Sequence, residues 1–234
     1  LIDAAESRDG TGALRNLGMR LFDLDNPAMT ADVVREVFRN ADGSTGNTAA
    51  KKGAEAWLKT IESLRQRFNA AGANVGKLGY GYLSQAHDSV RVMEAGAQKW
   101  AAKVLPLLDR EQYVRPDGSL MDNAEVMRML EGAHQTIATE GDSKTVPGQF
   151  KGTGARANQG SDHRVLHFKD GDAWMAYMKD YGQGSLYDAM IGHIGKMARD
   201  IGLVERYGPN PEQQFRLQND IAEGRVIDRA EAER

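Results

Sequence analysis

The amino-acid sequence predicts a mainly α fold: a multi-helix, orthogonal or bundle-like domain with at most a minor β-ribbon near Arg164–Phe168. Three observations lead there. Apolar residues recur at alternating four- and three-residue steps, as in Trp57, Ile61, Leu64, Phe68 and Ala71, and again in Leu186, Met190, Ile194, Met197, Ile201 and Val204. Helix start and stop signals bracket those stripes, among them Asp122 with Glu125, Ser185, and Gly208-Pro209. One short apolar run, Arg164–Phe168, reads as extended.

Taken in order, Leu1–Ser7 reads as the tail of a helix broken by Gly10 and Gly12. Ala13–Phe22 carries Leu14, Leu17, Leu21 and Phe22 at helical spacing, and Asn26-Pro27 reads as a stop. Thr30 is then expected to cap a helix to about Arg39, with Val33, Val34, Val37 and Phe38 inward. Asp42–Gly46 is a turn or flexible loop, and Asn47 opens the longest clean helix, to about Ala71. Glu55 and Lys59 are spaced for an i,i+4 pair on its surface. An extended connector follows, in which Tyr80 and Tyr82 are expected to pack onto helices.

Gln85–Ala95 and Gln98–Leu108 read as helices parted near Gly96, with Pro106 kinking or ending the second. Arg115-Pro116-Asp117-Gly118 is a turn, and the Asp122/Glu125 capping box starts a helix to about Thr139. After a long irregular stretch and the Arg164–Phe168 run, Asp170 and Asp172 can cap a compact helix to Tyr181. Ser185 caps a helix to Tyr207, and Asn210-Pro211 starts a last one to about Glu223.

This divides the chain into N-terminal helices over 1–75 (two short, one long), central helices over 76–140, an irregular glycine-rich and basic loop over 141–163, a C-terminal helical unit over 164–224 and a charged tail over 225–234. They form one or two packed domains. The chain does not begin with Met, so a processed product or a fragment of a longer chain is expected.

Composition narrows the function classes. With 30 basic and 33 acidic side chains the formal charge is −3, so no global attraction to nucleic acid or anionic membrane follows. The absence of cysteine excludes disulfides, thiolate metal sites and cysteine nucleophiles. No apolar run approaches the roughly 20 residues of a membrane span.

No chemical motif is complete in the sequence. Gly72–Leu78 fails as a phosphate loop, because only three residues part Gly72 from Gly76 and Leu78 stands where Ser or Thr must bind magnesium. His87, His134, His163, His167 and His193 show no zinc-protease spacing; His163 and His167 would share one face of a strand. Ser84, His87 and Asp88 suggest a triad only by closeness in sequence, and no GxSxG elbow is present. Gly152–Ala157 lacks the third glycine of a dinucleotide fingerprint. No catalytic, cofactor-binding or metal-ligating residue is therefore assigned, no cofactor is expected, and the chain leans away from being an enzyme.

Two features remain. The irregular loop carries Lys144, Phe150, Lys151 and Arg156, with Arg164 at its end; basic side chains and an aromatic ring there suit contact with phosphates and a base, or with a partner protein. On the Ser185-capped helix, Gly192, Gly195 and Gly202 lie along one stripe. Each interior glycine costs roughly 1 kcal/mol against alanine, so three together suggest a face for close packing.

The runs Gly81–Trp100 (GYLSQAHDSVRVMEAGAQKW), Arg164–Met190 (RVLHFKDGDAWMAYMKDYGQGSLYDAM) and His193–Glu212 (HIGKMARDIGLVERYGPNPE) resemble segments of very long internal virion, or DNA-ejection, proteins of tailed bacteriophages. The resemblance covers roughly the second two-thirds of the chain and brings no catalytic motif. It implies a structural, assembly role inside the particle during genome ejection, through protein–protein interaction. The implied partners are other virion proteins or copies of the chain itself, with phage DNA as a further one. The implied location is the virion interior, with delivery into the host envelope. Two alternatives stand beside it: an enzyme domain of such a protein, cleaving peptidoglycan or processing nucleic acid, and local nucleic-acid binding through the 141–163 loop.

Overall fold

A computed structural model describes residues 26–140 and 164–222. The fold is mainly helical, with eight α-helices among the described residues and no strand. These are α1 (Pro27–Phe38), α2 (Thr48–Ala70), α3 (Ser89–Ala95), α4 (Ala97–Val104), α5 (Asn123–Ala138), α6 (Gly171–Tyr181), α7 (Leu186–Tyr207) and α8 (Pro211–Ala222), with two single 3₁₀ turns at Leu105–Leu107 and Arg110–Gln112. The helix expected over Ala13–Phe22, the 141–163 loop and the 225–234 tail lie outside the described residues.

Local signals account for most boundaries. The side chain of Asp122 accepts from the Glu125 backbone N–H at 2.8 Å while Glu125 accepts from the Asp122 N–H at 2.7 Å, a closed capping box for α5. Asp170 caps α6 by accepting from the Ala173 N–H at 2.7 Å, and Asn47 accepts from the Ala50 N–H at 3.2 Å at the head of α2. The Arg115–Gly118 turn closes with Gly118 at φ +83° and its N–H 2.9 Å from the Arg115 carbonyl.

One boundary differs. Asn26-Pro27 starts α1 instead of stopping a preceding element: the Asn26 side chain accepts from the Met29 N–H at 3.1 Å and Pro27 takes the first helical position. Proline lacks an N–H that this position does not need, so the same dipeptide serves as a beginning. On α2, Glu55 pairs with Lys51 at 3.9 Å, the opposite neighbour from the expected Lys59. The extended run Arg164–Phe168 contributes one antiparallel bridge, Leu108 with Phe168, and no named strand.

The chain forms two compact units. In the first (Leu1–Ile61, Leu78–Gln149, Arg164–His193), α1 packs on α6, and α5 packs on α3 and α4. The α1–α6 approach is close, since a Cβ on Gly171 would sit 3.0 Å from the Arg35 Cα. Trp57, Trp100, Leu83, Val92, Leu130 and Tyr177 are fully buried here. Glu36 is buried too, and accepts from the Gly43 N–H at 2.9 Å, the Thr45 N–H at 3.0 Å and the Thr45 hydroxyl at 2.5 Å. It thereby shapes the loop between α1 and α2. Burial works to raise its pKa, but the Thr45 and Gly43 hydrogen bonds outweigh it and leave the pKa lowered.

In the second unit (Glu62–Lys77, Phe150–His163, Ile194–Arg234), Phe68, Ile201 and Val204 make a core that Leu64, Ala71, Ala73 and Val75 cover. Arg67 grips Glu205 with two bonds of 2.7 Å. The Asn69 side chain holds the chain after α2 by bonding both the N–H and the carbonyl of Val75. Tyr207 meets Phe215 edge-on at 4.9 Å. Leu217 and Ile221, one turn apart on α8, are exposed. Among the described residues no helix is long and apolar enough to cross a membrane.

Candidate functional site

The connector after Gly79 is extended, and neighbouring elements hold its polar groups. The Trp57 indole donates to the Tyr82 carbonyl at 2.7 Å. The Asp88 N–H donates to the Tyr181 carbonyl, and the Gln183 N–H to the Ala86 carbonyl, both at 2.9 Å. Gln85 donates to the Leu166 carbonyl at 2.9 Å. The segment 165–167 is pinned in turn by Tyr113, whose hydroxyl donates to the Val165 carbonyl at 2.9 Å and accepts from the His167 N–H at 3.0 Å.

Between this connector, the last turns of α5 and the 164–166 segment lies a cleft of about 350 Å³ within the first unit. Ser84, Gln85, His87, Thr136 and Arg164 bring polar groups to it; Ala133, Ile137, Val165 and Leu166 bring apolar ones, and His193 borders it. Arg164 donates to the Gly81 carbonyl at 3.1 Å and to the Leu83 carbonyl at 2.8 Å. Arg164 also lines a small cavity of about 30 Å³ together with Phe38 and Tyr80. Burial lowers its pKa, with a smaller opposing influence from Tyr82.

His87 places Nδ1 2.8 Å from the Tyr177 hydroxyl. Burial, and then the charge of Arg164, push its pKa down to about 4, so the ring is neutral at physiological pH. Burial pushes the Tyr177 hydroxyl up and the Tyr113 hydroxyl up to about 12; both phenols stay protonated and serve as fixed hydrogen-bonding groups.

Ser84 and His87 thus share a cleft, but no triad forms. The carboxylate of Asp88 caps α3, accepting from the Arg91 N–H at 3.0 Å, and the orienting partner of His87 is a phenol. Two acids of α7 are engaged in ion pairs, Asp200 with Lys196 at 2.7 Å and Glu205 with Arg67. His134 is buried with Nε2 2.8 Å from the Val92 carbonyl, His167 lies edge-on to Tyr113, and His193 packs against Trp57 and Tyr82. Among the described residues no group of three or more His, Asp or Glu stands ready to hold a metal ion.

Lys144, Phe150, Lys151 and Arg156 lie outside the described residues. Gly192, Gly195 and Gly202 lie on the exposed side of α7, and a Cβ on any of them would find no atom within 4 Å. No described part of the chain is the close neighbour that their stripe suggests. Arg164, counted with the loop's cations in the sequence, is instead held on backbone carbonyls at the cleft. Tyr177 as partner of His87 carried no sequence signal, since the two are 90 positions apart.

Compared with protein-family models, curated proteins and solved structures, the chain matches none.

Proposed function

We propose that this chain is a helical assembly module of a phage internal virion protein that takes part in genome ejection, acting through protein–protein contact with other virion proteins or with copies of itself. The phage setting rests on the three runs, Gly81–Trp100, Arg164–Met190 and His193–Glu212. The observation that carries the assembly reading is the exposed side of α7. Three interior glycines lie there with open space above them, beside exposed Tyr187 and Ile191, while Met190, Met197, Ile201 and Val204 fill the opposite side. Nothing within the described chain offsets the roughly 1 kcal/mol that each such glycine costs. A helix from another subunit, able to approach a surface without side chains, would do so. Head-to-tail contacts of this kind generate rings or tubes, a form suited to a conduit.

Mass spectrometry of purified virions and light scattering of the purified chain test the reading. The expected results are recovery of the protein from particles, and oligomers that Gly195→Leu disperses without loss of helical content. A chain absent from particles and monomeric at every concentration overturns it.

A further inference from the structure

We propose that the cleft beside Arg164 binds a small carboxylate carried on an apolar body. The inference goes beyond the assembly reading and does not depend on it. Arg164 is part-buried, and among the described residues its charge meets the neutral carbonyls of Gly81 and Leu83. Among the described residues no carboxylate lies within ion-pair distance of it, and neither Asp nor Glu lines the cleft. Carbonyls accept hydrogen bonds but do not neutralise a cation. A charge taken out of water without a counter-ion is costly, so an anion arriving in the cleft is favoured. Among the described residues the two carbonyls take only part of the five-donor fork.

The rest of the cleft selects the kind of anion. Among the described residues that line it Arg164 is the permanently charged one, and His87 is neutral at physiological pH, which suits a monoanion better than a phosphate dianion. In the tautomer whose Nδ1 accepts from the Tyr177 hydroxyl, the His87 ring carries its proton on Nε2, a donor for a carboxylate oxygen. Ser84 and Thr136, whose side chains carry hydroxyl donors, also line the cleft. Ala133 and Ile137, one turn apart on α5, together with Val165 and Leu166, make the apolar side. The volume of about 350 Å³ falls within the range of small-molecule pockets.

The test is calorimetric titration of the purified chain with octanoate, N-acetyl-leucine, their amides, inorganic phosphate and adenosine monophosphate. Saturable binding of at least one carboxylate, with at least tenfold weaker binding of its amide and of both phosphates, is expected. Val165→Glu puts a negative charge at a half-exposed position of the wall, where folding tolerates it, and should reduce carboxylate affinity at least tenfold with an unchanged thermal melt. Addition of the carboxylate should also shift the His87 ring resonances. Preference for octanoate over N-acetyl-leucine identifies an aliphatic acid as the natural source, and the reverse identifies an amino-acid carboxylate. Failure of both carboxylates to saturate, equal binding of the amides, or preference for phosphate or the nucleotide overturns the proposal.

Discussion

His87 and Tyr177 meet edge-on, their ring planes at 87° and the imidazole Nδ1 2.8 Å from the phenolic oxygen. The pair ties the connector that precedes α3 to the middle of α6. It also makes folding sensitive to pH. The imidazole titrates near 4 in the folded chain against an ordinary 6.5, so the unfolded chain binds more protons between those values. Stability from this group is complete above about pH 6.5 and is lost as pH falls toward 4, by roughly 3 kcal/mol in all. Urea denaturation between pH 7.5 and 4.5 should show this slope in the wild type and a flatter one in His87→Gln. Equal slopes would show that His87 does not titrate as described.

Glu36 gives a second pH-linked contribution of the same sign, at lower pH. Its lowered pKa means that its stabilising effect is present above the usual carboxylate range and fades as the carboxylate is protonated on acidification. Glu36→Ala should cost about 2–4 kcal/mol at neutral pH, because the Gly43 and Thr45 N–H groups lose their acceptor. Thr45→Val removes only the hydroxyl donor and should cost about 1 kcal/mol. Chemical denaturation of the two variants should rank them in that order.

Two glycine-to-alanine substitutions should act in opposite directions. Gly171→Ala drives a methyl toward the Arg35 Cα and N and the Val34 carbonyl carbon, at 3.0–3.1 Å, where backbone cannot give way. It should destabilise by about 1–3 kcal/mol. Gly195→Ala meets open space within a helix and should stabilise the monomer by about 0.5–1 kcal/mol. Melting temperatures would separate the two.

Trp100 is fully buried, with His134, Tyr177 and Tyr181 around its ring at 5.7–6.4 Å. Trp100→Ala should cost about 3–5 kcal/mol through lost burial and the cavity left behind, measurable in urea. A change below 1 kcal/mol would mean that this aromatic cluster is not part of the folding core.

The fold class and most helix boundaries were legible in the chain. Their determinants are local: the 3.6-residue period of Trp57, Ile61 and Phe68, the reciprocal bonds of Asp122 and Glu125, and Pro211 at a helix start act within a few positions of themselves. Asn26-Pro27 was ambiguous because the same two residues suit either end of a helix, and only the chain that follows decides which.

The cleft was not legible in this way. It depends on Arg164 reaching the carbonyls of Gly81 and Leu83 and on His87 reaching Tyr177, pairs between 81 and 90 positions apart. The sequence by itself determined that helices form and where most of them begin. The tertiary structure decided which polar side chains end up together, because a local pattern fixes the face a residue occupies, while only packing between distant segments fixes what that face meets. It also decided that Gly192, Gly195 and Gly202 look out from the described chain, since a stripe of glycines permits a close neighbour without supplying one.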